Sequence, residues 1–151
     1  MTVSDGFATA ETRGAWVVIT SVNDAPQLGG AKADQAINDN QTVRPFASFT
    51  IADADSPAQA LTVDVQLIHA ANGKFAAASL AASGFVSKGR SLYRFAGSAA
   101  QAQAAVRKLV YAPTENQVAP GQKVKNYLRV YVNDGFTTVS DLTTSVVATS
   151  V

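Results

Sequence analysis

Leu61-Thr62-Val63-Asp64-Val65-Gln66-Leu67 alternates apolar and polar residues without a break. In an extended chain successive side chains point to opposite faces, so Leu61, Val63, Val65 and Leu67 line one face and Thr62, Asp64 and Gln66 the other. Such a strand covers a core on one side only. Tyr127 to Val132 repeats the pattern with Leu128, Val130 and Val132 inward, and Val43 to Ile51 and Ser91 to Phe95 are shorter runs of similar type. Between the runs, Asn72-Gly73 and Lys88-Gly89 supply positions that tolerate positive φ. Asn133-Asp134-Gly135 separates Val132 from the strand-rich tail 136–151. The expected fold class is mainly β, an antiparallel β-sandwich.

One segment departs from the period of two. Ser98-Ala99-Ala100-Gln101 has the form of a capping box, in which the serine accepts from the third helical amide and the glutamine reaches back. Ala102, Ala105, Val106, Leu109 and Val110 then recur at helical spacing, with Gln103, Arg107 and Lys108 on the other face, until Pro113. One short α-helix is expected over about residues 98–110, lying across an end or edge of the sandwich.

The opening of the chain returns at its end. Val3-Ser4-Asp5-Gly6-Phe7 corresponds to Val132-Asn133-Asp134-Gly135-Phe136, and Thr20-Ser21-Val22 to Thr149-Ser150-Val151, all at one offset of 129 (134 minus 5). That period exceeds the roughly 20–50 residues of solenoid repeats, so each unit is expected to be a whole domain of a tandem repeat array. On this reading residues 1–22 are the terminal hairpin of the preceding repeat, 23–26 a linker stiffened by Pro26, and 27–151 one complete module. Trp16-Val17-Val18-Ile19 is an apolar stretch that resists exposure, which predicts order around Trp16 and self-association at high concentration.

Composition narrows the function. The chain has 151 residues, 15% charged residues and a net charge of +1, too weak a field to gather nucleic acid or anionic membrane. With no cysteine it has no disulfide or thiolate chemistry, and its single histidine, His69, reads as a strand-end residue that cannot build a multi-histidine metal site. There is no run of about 18 apolar residues, so no membrane insertion is expected, and any export signal is expected outside these residues. Nucleophile elbow, phosphate-cradling glycine motif and a serine, histidine and acid set are all missing, which points away from an enzyme. Arrays of like modules are built for reach, display or adhesion far more often than for turnover.

Three motifs together resemble the cadherin-like repeats of large bacterial surface and secreted proteins. They are the tail Val-x-Asp-Gly leading to Thr-Ser-Val and Asn23-Asp24-Ala25-Pro26, the segment Phe49-Thr50-Ile51-Ala52-Asp53-Ala54-Asp55, and the strand Val130-Tyr131-Val132 running into Asn133-Asp134-Gly135. The middle of the chain, from Asn72-Gly73-Lys74-Phe75 to Ala112-Pro113-Thr114, is similar to repeats of long bacterial calcium-associated adhesins. The resemblance implies an Ig-like or cadherin-like sandwich, an extracellular or cell-surface location, and a role as a non-catalytic adhesion or spacer module whose partners are neighbouring repeats. It also implies calcium as the cofactor, held at the junction by Asn23, Asp24, Asp53, Asp55 and Asp134. A hard cation takes six to eight oxygen ligands. Cadherins complete each site with acids from the preceding module, so these residues amount to a half-site.

Other readings stay open. Asp and Asn at turns cap their own backbone, and Asp134, Asp53 and Asp55 fit that role as well. Trp16, Tyr93, Tyr111, Tyr127 and Tyr131 would suit a polysaccharide-stacking platform if they shared an exposed face. Strand exchange with another chain or another surface protein is the third reading.

Overall fold

The computed structural model describes residues 14–55 and 57–151, together with the backbone of 2–4 and 9–11. In chain order the elements are β1 (Thr2–Ser4), β2 (Thr9–Glu11), β3 (Gln27–Gly29), β4 (Gln35–Asn38), β5 (Thr50–Ala52), β6 (Leu61–Leu67), β7 (Gly73–Phe75), α1 (Ala77–Ser83), β8 (Val86–Gly89), β9 (Leu92–Gly97), α2 (Ala99–Lys108), β10 (Tyr111–Pro113), β11 (Lys123–Asn133), β12 (Thr138–Asp141) and β13 (Ser145–Thr149). The residues Asp5, Gly6 and Phe7 of the duplicated motif lie outside the described residues.

The alternating strand decides the layout. β6 pairs antiparallel with β11, setting Val65 opposite Val130 and Val63 opposite Val132, so two apolar sets meet on one face. Around this pair the main sheet runs β4-β13-β11-β6-β9-β8, with β12 joined to the far half of β11. The pairing of β13 with β4 is parallel and the rest of the sheet is antiparallel. Opposite the inner face lies a second layer of α1, α2 and two small ribbons, β3·β5 and β7·β10. Leu61, Val63, Val65, Leu128, Val130 and Val132 of the sheet are fully buried against Phe46, Phe49, Val106, Leu109 and Tyr111 of that layer. Each such side chain contributes about 1.5–3 kcal/mol by leaving water. The chain is therefore a mainly β sandwich.

The helix forms as its cap predicts. Ser98 Oγ accepts from the Gln101 N–H at 3.2 Å and Gln101 Oε1 accepts from the Ser98 N–H at 3.0 Å. It ends at Lys108, short of Val110: Leu109 is already extended, and Tyr111 is drawn into the ribbon with Phe75 and a bridge to Val43. Gln103 and Arg107 do not face solvent alone. Gln103 Oε1 accepts from the Ile51 N–H and Arg107 Nε donates to the Phe49 carbonyl, which fastens α2 to β5.

Two expectations need correction. A second helix, α1, follows β7; Ala77-Ala78-Ser79-Leu80-Ala81-Ala82 has high helical propensity, and Gly84 closes it at φ 80° with its N–H on the Leu80 carbonyl. The run Val43 to Ile51 is no continuous strand. Pro45 lacks an N–H, residues 45–48 form a turn, and only Thr50–Ala52 is extended. Phe46 and Phe49, three apart, both enter the core, which a strand would prevent by pointing them to opposite faces.

Candidate metal centre at the linker pole

Strand register gathers the site. Gln27 lies opposite Ala52 in the β3·β5 ribbon, so the linker before Gln27 and the acids after Ala52 emerge at the same end. In the main sheet Thr62 lies opposite Asn133, which brings the β11–β12 loop to the residues that precede β6. Three chain segments from distant parts of the sequence thus meet at one pole.

There Asp53, Asp55 and Asp134 each present a carboxylate oxygen, all within 4.8 Å of one another. Asp53 and Asp55 are half-buried and Asp134 is buried. Asn23 Nδ2 donates to Asp134 Oδ2 at 3.0 Å, and the Asp24 N–H donates to Asp55 Oδ1 at 2.9 Å. All five residues implied by the resemblance are therefore in one place. Asp24 reaches the cluster through its backbone, and its exposed carboxylate is not one of the three that converge.

The same acids also act as turn caps. Asp134 Oδ1 accepts from the Phe136 and Thr137 N–H groups, and Asn133 Oδ1 from the Gly135 N–H, where Gly135 sits at φ 98°. Asp53 Oδ1 accepts from the Asp55 N–H at 3.0 Å, so the pair closes an Asx turn and is not simply extended. Each of Asp53 and Asp134 gives Oδ1 to its turn; Asp134 Oδ2 accepts from Asn23 Nδ2, and among the described residues Asp53 Oδ2 is buried with no donor. The Thr137 amide, followed by the Asn23 side chain, holds the Asp134 carboxyl below its ordinary pKa near 3.8. It stays ionised at neutral pH.

Gln59 was not legible in the sequence. Its Nε2 donates both to Asn23 Oδ1 at 3.0 Å and to Asp55 Oδ2 at 2.8 Å, tying the linker to the acid pair. Phe136 is 78% exposed beside it, and with Ser21, Asn23, Asp55, Pro57 and Gln59 lines an open depression of about 380 Å³. Three converging carboxylates offer about half of the oxygens a calcium ion takes, while the Asn23 amide meets the cluster through its nitrogen and gives its oxygen to Gln59.

The five aromatic residues do not gather on one exposed face: only Tyr127 and Tyr131 share the outer face of β11, and both are half-buried. Tyr111 is buried and donates to the Asn72 carbonyl, Tyr93 packs edge-on against Phe75, and the Lys125 ammonium sits 4.6 Å from the Tyr127 ring centre. Trp16 alone of the five is strongly exposed. His69 lies two residues past the end of β6, at the start of a 3-10 turn, with its backbone N–H and carbonyl on the Asn126 side chain. Among the described residues no helix is long and apolar enough to cross a membrane. Comparison with protein-family models, curated proteins and solved structures gives no match.

Proposed function

We propose that this chain is a non-catalytic repeat module of a large bacterial extracellular protein, serving as a spacer or adhesion stalk whose junction is stiffened by calcium. One observation carries the reading: carboxylates from two loops 79 residues apart (134 minus 55) converge on the linker at the pole where a neighbouring module would attach. Three like charges held this close repel one another, and a divalent cation is the simplest counterion. Gln59 and Asn23 lock the linker to the same cluster, so binding there would fix the angle at which the module leaves its neighbour. The exposed Phe136 at the pole suits burial against that neighbour.

Amide NMR during a calcium titration, against a chelated control, tests the reading. Expected are shifts at Asn23, Asp24, Asp53, Asp55, Gln59 and Asp134, saturating at about the millimolar level usual for extracellular modules. No shift at these amides, either in this chain or in a chain of two such modules, would leave a calcium-free spacer.

A further inference from the structure

The duplication extends from sequence to strand register. β1 and β2 pair with Thr2 opposite Glu11, Val3 opposite Ala10 and Ser4 opposite Thr9. Adding the offset of 129 gives Tyr131 opposite Ser140, Val132 opposite Val139 and Asn133 opposite Thr138, the register found between β11 and β12. By the same offset Trp16–Val22 corresponds to Ser145–Val151, with Val17, Val18, Thr20, Ser21 and Val22 identical to Val146, Val147, Thr149, Ser150 and Val151.

The surroundings of the two copies differ completely. β13 is an interior strand, antiparallel to Lys123–Tyr127 and parallel to Gln35–Asn38, and Val146 and Ala148 are 1% and 6% exposed. Trp16, Val17, Val18 and Ile19 belong to no strand and are 82–91% exposed. An uncharged, β-branched segment of this kind is a strand without its neighbours.

We propose that Trp16–Val22 is a donor strand that completes the main sheet of another unit of this fold, one whose place for β13 is open. The inference rests on the array reading given above. This chain's own place is filled by β13. Insertion into a second copy would expel an almost identical strand, leaving as much apolar surface exposed as it covers while costing association entropy. A unit that lacks its last strand gains the whole contact.

In that place Val17, Ile19 and Ser21 turn toward the core as Val146, Ala148 and Ser150 do, and Trp16 and Val18 turn outward. Trp16 falls at the position of Ser145, opposite Tyr127, where an aromatic cross-strand pair forms. In the present unit that position is roofed by residues 32–34, since the Ser145 N–H donates to the Lys32 carbonyl and Ser145 Oγ accepts from the Asp34 N–H. Ser145 is fully buried there, so an indole must displace the exposed loop, and isoleucine in place of Ala148 adds three carbons that the cavity of about 10 Å³ beside it takes up only with repacking of its neighbours.

A two-unit chain tests this directly. Residues 23–129 followed by residues 1–151 place 1–22 where the first unit needs 130–151. Trp16 is the sole tryptophan, so its emission reports on the segment. Expected, relative to the 151-residue chain, are a blue shift, a several-fold fall in acrylamide quenching, and protection of the Val17–Thr20 amides from exchange. The same two-unit chain with Trp16→Ser and Ile19→Ala carries the sequence of β13 itself and controls for folding of the first unit. If the control folds while the native segment leaves Trp16 as quenchable as before, or if neither folds the first unit, the proposal is overturned. Concentration-dependent burial of Trp16 in the 151-residue chain, with a dimer mass in sedimentation, would assign a second copy and overturn it too. Calcium shifts at Asp53 and Asp134 are read separately, so failure of the cation reading and failure of the donor-strand reading are distinguishable.

Discussion

Replacing Asp53 by asparagine should change stability in opposite senses with and without calcium. Asparagine keeps the Oδ1 acceptor that closes the Asx turn onto the Asp55 N–H, and its new Nδ2 takes the place of the buried Oδ2, which has no donor. In chelator the substitution relieves like-charge repulsion. With carboxylate oxygens of Asp53 and Asp55 within 4.8 Å, Coulomb's law gives about 0.9 kcal/mol at the dielectric of water and about 3.5 kcal/mol at an effective value near 20. Both groups are half-buried beside bulk solvent, so about 1 kcal/mol is the working figure, a rise in Tm of about 2–4 °C for a chain of this length. Calcium reverses the order. At ten to a hundred times Kd it stabilises the wild type by about 1.4–2.7 kcal/mol. Loss of a direct ligand should weaken affinity by about a hundredfold, the upper end of what even an outer-shell change costs, leaving Asp53→Asn a gain of about 0.1–0.4 kcal/mol at the same concentration. Differential scanning calorimetry of both proteins, in chelator and in about 10 mM calcium, reads the four Tm values. Parallel behaviour, with the same offset between the proteins in both buffers, would refute the metal reading and leave Asp53 as a turn cap.

Acid should loosen both poles of the module. Asp134 is held low by the Thr137 amide and the Asn23 side chain, and Asp39 by the Asn116 amide with further help from Ser150 and the Val151 amide. Folded-state pKa values below the unfolded ones mean stability that is full above the ordinary carboxylate range and is lost as pH falls through the folded values. The Tm should therefore be flat near neutrality and decline below about pH 4, with amide exchange rising first at Asn23, Phe136 and Asn116. A Tm that climbs below pH 4 would contradict this. Ser98→Ala removes one half of the capping box while leaving the Gln101 side chain on the Ser98 amide, and should cost about 1 kcal/mol in urea unfolding with the slope unchanged.

Much of the scaffold is written locally. The alternation of Leu61 to Leu67, the capping box at Ser98 and the turn at Gly135 depend on residues within a few positions of each other, and each forms as its neighbours dictate. The helix α1 was equally local, since an alanine-rich run closed by Gly84 carries its own signal. Val43 to Ile51 misled because apolar content alone does not separate a strand from a turn that drops two phenylalanines into the core.

What tertiary structure alone decided is which distant groups meet. The clustering of Asn23, Asp53, Asp55 and Asp134 was implied by a resemblance and follows physically from two registers, Gln27 opposite Ala52 and Thr62 opposite Asn133. Gln59 has no local signature, being a glutamine between two alanines; only the strand pairing that brings the start of β6 to the linker pole aims it at Asn23. Trp16 shows the converse. Its sequence asks for burial as strongly as that of Val146, yet one segment is solvent-exposed and the other lies inside the sheet. Propensity is a property of the segment, whereas burial requires an open place between two strands, and β13 already fills the one this chain provides.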